Sequence, residues 1–143
     1  MKLFLTGYTG GFGKINGERV ACEFNRHNGF FDMLRDKLPP TIKCLMLASS
    51  PAGYEYNDVV LSNLTDGFKL DGFTAECVVM CDNRNAEAIM PCIHDYNVLY
   101  LCGGHVPTQV EFFNRINLKA HIAGYNGVII GRSAGSMSCA DAA

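Results

Sequence analysis

The chain has 143 residues, of which 48% are hydrophobic and 18% charged, with a formal net charge of −2. That length fits one domain, here taken as 1–143, and the composition argues against disorder. Twelve basic against fourteen acidic residues exclude a broad electrostatic footprint for nucleic acid or an anionic membrane.

The N-terminal run Lys2–Thr6 is short, apolar and stopped by Gly7, too short for a signal-peptide core. Four more apolar runs follow at 42–48, 76–81, 98–102 and 128–130. Each is continuous rather than alternating, as expected of strands covered on both faces. Helices are expected between them. Glu18 to Leu38 carries Val20, Phe24, Phe31, Leu34 and Leu38 near helical spacing, and Pro39-Pro40 stops it. Asn57 to Phe68 repeats the pattern, with Asn57 or Asp58 as its cap. Asn85 to Tyr96 and Pro107 to Ala123 complete the set, with Pro107 in the first turn of the last. Strand and helix in alternation predict a parallel sheet covered on both faces, with ligands at the carboxyl ends of its strands.

Seven cysteines lie mostly in apolar runs, without CxxC pairs or zinc spacing. They read as small buried hydrophobes in a reducing compartment, so no metal is expected and a cytoplasmic location is. No segment approaches the length of a membrane span.

Three glycine-bearing segments fall at predicted strand ends. Thr6 to Lys14 could run from a strand into a helix and cradle a phosphate. It misses both the P-loop and G-x-G-x-x-G patterns, and no Tyr has Lys four residues later, so a nicotinamide-dependent oxidoreductase is the weakest reading and no cofactor is expected. Leu101-Cys102-Gly103-Gly104-His105 allows a backbone N–H to approach a ligand closely. Cys102 reads as an inert core thiol, and His105 as a helix cap or a solvent-facing group. Gly131-Arg132-Ser133-Ala134-Gly135 matches the G-x-S-x-G elbow directly after an apolar strand. Such a turn exposes a serine hydroxyl above the sheet, with the next N–H, from Ala134, aimed at a developing oxyanion.

The stretch Leu99 to Thr108, the helix with Phe112-Phe113, and Ile130 to Ser136 together resemble the serine peptidases of the dipeptidase E and cyanophycinase family. The resemblance implies a three-layer α/β/α sandwich with a mostly parallel sheet, glutamine amidotransferase-like and flavodoxin-like. It implies hydrolysis of short peptides next to aspartate. It implies Ser133 as nucleophile, the N–H groups of Gly104 and Ala134 as the oxyanion hole, and Gly103 in the same turn. Weaker substrate-binding candidates are Gly103, His105 and Arg132, with Arg84 a further basic group by position.

In that family the acid and the histidine both follow the nucleophile. Here ten residues follow Ser133 and none is His; His27, His94, His105 and His121 all precede it. Asp141 stands too close to the elbow to be matched, and His105 is the nearest candidate base. The expectation is therefore a domain cut short at its C-terminal end, with the base and acid supplied from outside the chain. The competing expectation is a non-catalytic α/β module or pseudoenzyme that associates with itself or a partner through an uncovered sheet edge.

Overall fold

A computed structural model describes residues 1–142, and the side chains of all these except Phe12, Asn28 and 139–142. In chain order the elements are β1 (Lys2–Thr6), β2 (Gly10–Ile15), β3 (Glu18–Phe24), α1 (Phe30–Lys37), β4 (Thr41–Leu47), α2 (Tyr54–Leu70), β5 (Thr74–Cys81), α3 (Ala86–Ile89), β6 (Val98–Leu101), α4 (Val106–Arg115), α5 (Leu118–His121), β7 (Val128–Arg132) and α6 (Ala134–Ala142). Short 3₁₀ turns occupy His27–Gly29 and Met90–Asp95.

The five apolar runs are the five strands of one sheet, ordered β1-β7-β6-β4-β5, and every neighbouring pair is parallel. The protein is thus an α/β structure on a parallel sheet. Register shows that helices cover both faces. Phe4, Ile130, Tyr100, Met46 and Met80 form one row across the sheet. Phe4 meets Phe30 of α1 edge-on at 6.3 Å, and the Tyr100 hydroxyl bonds Thr9 at 2.7 Å, just before β2. The next row, Leu5, Gly131, Leu101, Leu47 and Cys81, must face the other way, because side chains alternate along a strand. There Leu101 lies against Gly135 of α6. So α1 and α2, with the β2–β3 hairpin packed on α2, lie on one face, and α6, with α4 packed on it, covers the other. Phe24 joins the first layer together, 6.5 Å from Phe31 of α1 and 5.2 Å from Phe68 of α2. Edge strand β1 is less covered, with Leu3 and Leu5 at 43% and 50% exposure.

Several expectations need correction. The Glu18–Leu38 segment is not one helix: it is β3, a short turn and then α1. Asn16 and Gly17 both adopt positive φ, 51° and 81°, as a two-residue turn between antiparallel strands requires, so the chain folds back on β2 before any helix starts. In consequence the Thr6–Lys14 loop leads into a strand and not into the first turn of a helix, as the phosphate-cradle reading needs. The remaining helix after β6 breaks at Asn117, which sits at φ 53°, into α4 and α5. Finally, α2 starts at Tyr54, so Asn57 lies inside its first turn and reaches the Ser50 carbonyl and Asp82 instead of capping.

Candidate functional site

Between β7 and α6 the chain must reverse within one residue. Ser133 does this at φ 50°, a left-handed conformation that costs an L-residue other than Gly about 1 kcal/mol or more. Its side chain is exposed. Hydrogen bonds on both sides hold it there. The Ser133 N–H donates to the Thr6 carbonyl at 2.8 Å, and its own carbonyl accepts from the N–H groups of Ser136 and Met137 at 2.9 and 3.2 Å. The Ser136 hydroxyl accepts from the Thr6 N–H at 3.0 Å and lies 2.8 and 2.6 Å from the carbonyl oxygens of Thr6 and Gly131.

The two glycines of the motif are packing necessities. A Cβ on Gly131 would stand 2.9 Å from Leu5 Cδ2 and 3.0 Å from the Ser136 Cα. On Gly135 it would collide with the Leu101 carbonyl. So α6 can rest on β6 and β7 only where both positions lack a side chain.

The Gly103-Gly104 turn meets the serine. A Cβ on Gly103 would lie 3.3 Å from Ser133 Cβ, so the two turns are immediate neighbours with no room for a side chain between them. On its other side the turn meets Ser49, which follows β4; the Ser49 hydroxyl donates to the Gly103 carbonyl at 2.8 Å. Strands β4 and β6 are neighbours, and the chain leaves them in opposite directions, to β5 and to β7. This is the switch point of the sheet, the place where open parallel sheets bind ligands. Among the described residues, no acceptor is recorded for the Gly104 or Ala134 N–H group.

The other candidates separate from one another. Arg132 is half-buried next to Ser133, with its guanidinium 5.7 Å from the centre of the Tyr8 ring. His105 precedes α4, and its Nδ1 is 2.7 Å from the Thr108 hydroxyl. His94 reaches the His121 carbonyl at 2.8 Å, and His27 is exposed on the turn before α1. Among the described residues no histidine hydrogen-bonds Ser133; Asp141 lies outside the described side chains. Cys102 is 4% exposed, and burial pushes its thiol up to about 12, so it stays protonated and unreactive at neutral pH. Its carbonyl accepts from buried Gln109 at 2.8 Å, and Gln109 accepts from Ser138 of α6 at 2.8 Å. That chain of bonds ties the start of the Gly-Gly turn to the elbow helix.

Arg84 is not available to a substrate. It pairs with Asp82 at 2.7 Å and with Asp58 at 2.7 Å. Burial alone would raise the Asp82 pKa, but hydrogen bonds from Arg84 and Asn57 outweigh it and hold the carboxyl below its ordinary value. The charged form is therefore stabilised by folding, and that contribution is complete above the ordinary carboxylate pKa of about 4 and lost as pH falls through the lower folded value. Asp82→Asn should cost about 2 kcal/mol at neutral pH, since Arg84 and Asn57 lose a charged acceptor. The difference from wild type should shrink as pH falls below about 4, as read by urea unfolding across pH. A pH-independent difference would show that the charge is not what matters.

A cavity of about 440 Å³ between α3 and the α4–α5 break, lined by Asn83, Met90, Arg115 and His121 among others, lies apart from the elbow. Among the described residues no group of three or more His, Cys, Asp or Glu could hold a metal ion, and no helix is long and apolar enough to cross a membrane. Cys44, Cys81 and Cys102 are buried, Cys22 and Cys77 half-buried, and Cys92 exposed, all as free thiols. No protein-family profile, curated protein or solved structure matches the chain.

The Ser49-Ser50-Pro51 strand end is compatible with the resemblance, but the sequence assigns Ser49 no partner at this site. Its position at the end of an apolar run was visible, but its meeting with Gly103 depends on β4 and β6 being neighbours, which strand order alone decides.

Proposed function

We propose that this chain carries the nucleophile and oxyanion hole of a serine hydrolase resembling the dipeptidase E and cyanophycinase peptidases, on a glutamine amidotransferase-like version of its α/β fold. The single observation that carries this is Ser133: a non-glycine residue held at φ 50°, exposed between β7 and α6, immediately beside the Gly103-Gly104 turn. Backbone strain of this kind persists where surrounding bonds over-determine it, and it concentrates at functional sites.

In this reading Ser133 Oγ attacks the scissile carbonyl of a short peptide next to aspartate, forming an ester and releasing the amine. Water then cleaves the ester and regenerates the hydroxyl. The Gly104 and Ala134 N–H groups stabilise the oxyanion in both halves. Arg132, beside the nucleophile, provides the positive charge for an acidic side chain. The proton of Ser133 passes to a base and returns to the leaving amine; that base, with the acid that orients it, is supplied from outside the described residues. No cofactor or metal enters the scheme, and the free thiols fit a cytoplasmic setting.

The second reading, a non-catalytic module that associates through its surface, is favoured by one observation, that among the described residues no histidine bonds Ser133. A single experiment separates the two. The chain is treated with a fluorophosphonate, with free imidazole as a surrogate base, and the adduct is located by mass spectrometry. The hydrolase reading expects one adduct, on Ser133, lost completely in Ser133→Ala. No adduct, or one that survives in Ser133→Ala, would sink it and leave the non-catalytic module.

A further inference from the structure

We propose that Ser49 is a positioning residue that aims the Gly104 N–H at the oxyanion. This rests on the hydrolase reading for its chemistry, though not for its geometry. The Gly103 carbonyl and the Gly104 N–H belong to one peptide unit, which is planar and trans, so they point in opposite directions. Fixing the carbonyl therefore fixes the N–H. Ser49 fixes it: its hydroxyl donates to the Gly103 carbonyl at 2.8 Å, from a residue only 2% exposed. The Gly104 N–H on the opposite side of that peptide bonds no described residue.

Such a brace is needed because of the glycines. Glycine on both sides of a peptide lets it rotate at little steric cost, so the Gly103-Gly104 unit could turn its carbonyl toward the nucleophile instead. A carbonyl there would repel an oxyanion. No side chain can replace the brace from within the turn, since a Cβ on Gly104 would collide with the Ser49 hydroxyl. Ser49 makes no recorded hydrogen bond to Ser133 among the described residues and, in this scheme, acts through the peptide. The second donor, Ala134 N–H, sits at the first turn of α6 and needs no such brace.

Two measurements on the full chain test this separately from the hydrolase reading. The first is the residual dipolar coupling of the Gly104 N–H in aligned solution, which reports the direction of that bond. In wild type it should fit the described orientation. In Ser49→Ala it should depart, while couplings along β4 and β6 stay the same. An unchanged Gly104 coupling overturns the proposal whatever the protein's chemistry. The second is reactivity. Ser49→Ala should slow fluorophosphonate labelling of Ser133 about 10²-fold, as loss of one oxyanion donor does. In the Ser133→Cys background, Ser49→Ala should leave alkylation by iodoacetamide at position 133 unchanged, because that displacement builds no oxyanion. Equal slowing of both reactions would mean that Ser49 merely supports the fold, and overturns the positioning role. A wild type that is never labelled, with the coupling change intact, refutes the hydrolase reading and leaves the orientation by Ser49 standing.

Discussion

Gly135→Ala is expected to lower stability by about 3 kcal/mol or more and to remove Ser133 reactivity with it. The added Cβ would overlap the carbonyl oxygen of Leu101 and stand 2.6 Å from its carbonyl carbon. These are backbone atoms of β6, whose four residues are all buried and which pairs with β4 and β7. They cannot yield as the end of a flexible side chain can. Relief requires α6 to lift off the sheet, which would break the Ser136 bonds to Thr6 and Gly131 and the Ser138–Gln109 bond. Gly7→Ala is the matched control: a Cβ there meets nothing within 4 Å, and its effect should stay within about 0.5 kcal/mol. Chemical denaturation of the two variants checks this. If Gly135→Ala stays within 1 kcal/mol of wild type, α6 does not rest on β6 as described.

The same contact explains why part of this architecture could be read from sequence. The parallel strands were legible because burial on both faces leaves no room for alternation: Val98-Leu99-Tyr100-Leu101 is buried at every position. The elbow was legible because its pattern is one short motif directly after an apolar strand, even though the contacts that demand its glycines reach to Leu101 of β6 and Leu5 of β1. The hairpin was missed although Asn16-Gly17 is a strong turn signal. The spacing of Val20, Phe24 and Phe31 mimics a helix face, since Phe24 and Phe31 approach one core from a strand and a helix. The role of Ser49 was missed for a different reason. Nothing within ten residues of it distinguishes it from Ser50, and its partner lies 54 residues away across a strand pairing. The split of the fourth predicted helix at Asn117 was likewise hidden, because the apolar spacing of Val110, Phe113, Ile116 and Ala120 continues through a residue whose backbone does not.

Ser133→Gly should separate strain from chemistry at the elbow. Three non-glycine residues of the described chain hold positive φ: Asn16, Asn117 and Ser133. The two asparagines carry the side chain that best tolerates this conformation, so Asn16→Gly and Asn117→Gly should gain little. Serine lacks that tolerance. Removing its Cβ should stabilise the protein by about 1 kcal/mol relative to Ser133→Ala, which keeps the Cβ and the strained backbone while losing the same hydroxyl. Both variants should lose fluorophosphonate labelling completely. The comparison with alanine matters, since it cancels any bond made by the hydroxyl and leaves backbone strain as the difference. Glycine also gains freedom in the unfolded chain, which works against the expected stabilisation, so a positive result would understate the strain. If Ser133→Gly is less stable than Ser133→Ala by more than the roughly 1 kcal/mol that glycine's freedom in the unfolded chain costs, the elbow stores no strain. If it is more stable, position 133 keeps a costlier residue than the fold requires, and the hydroxyl is what that cost maintains.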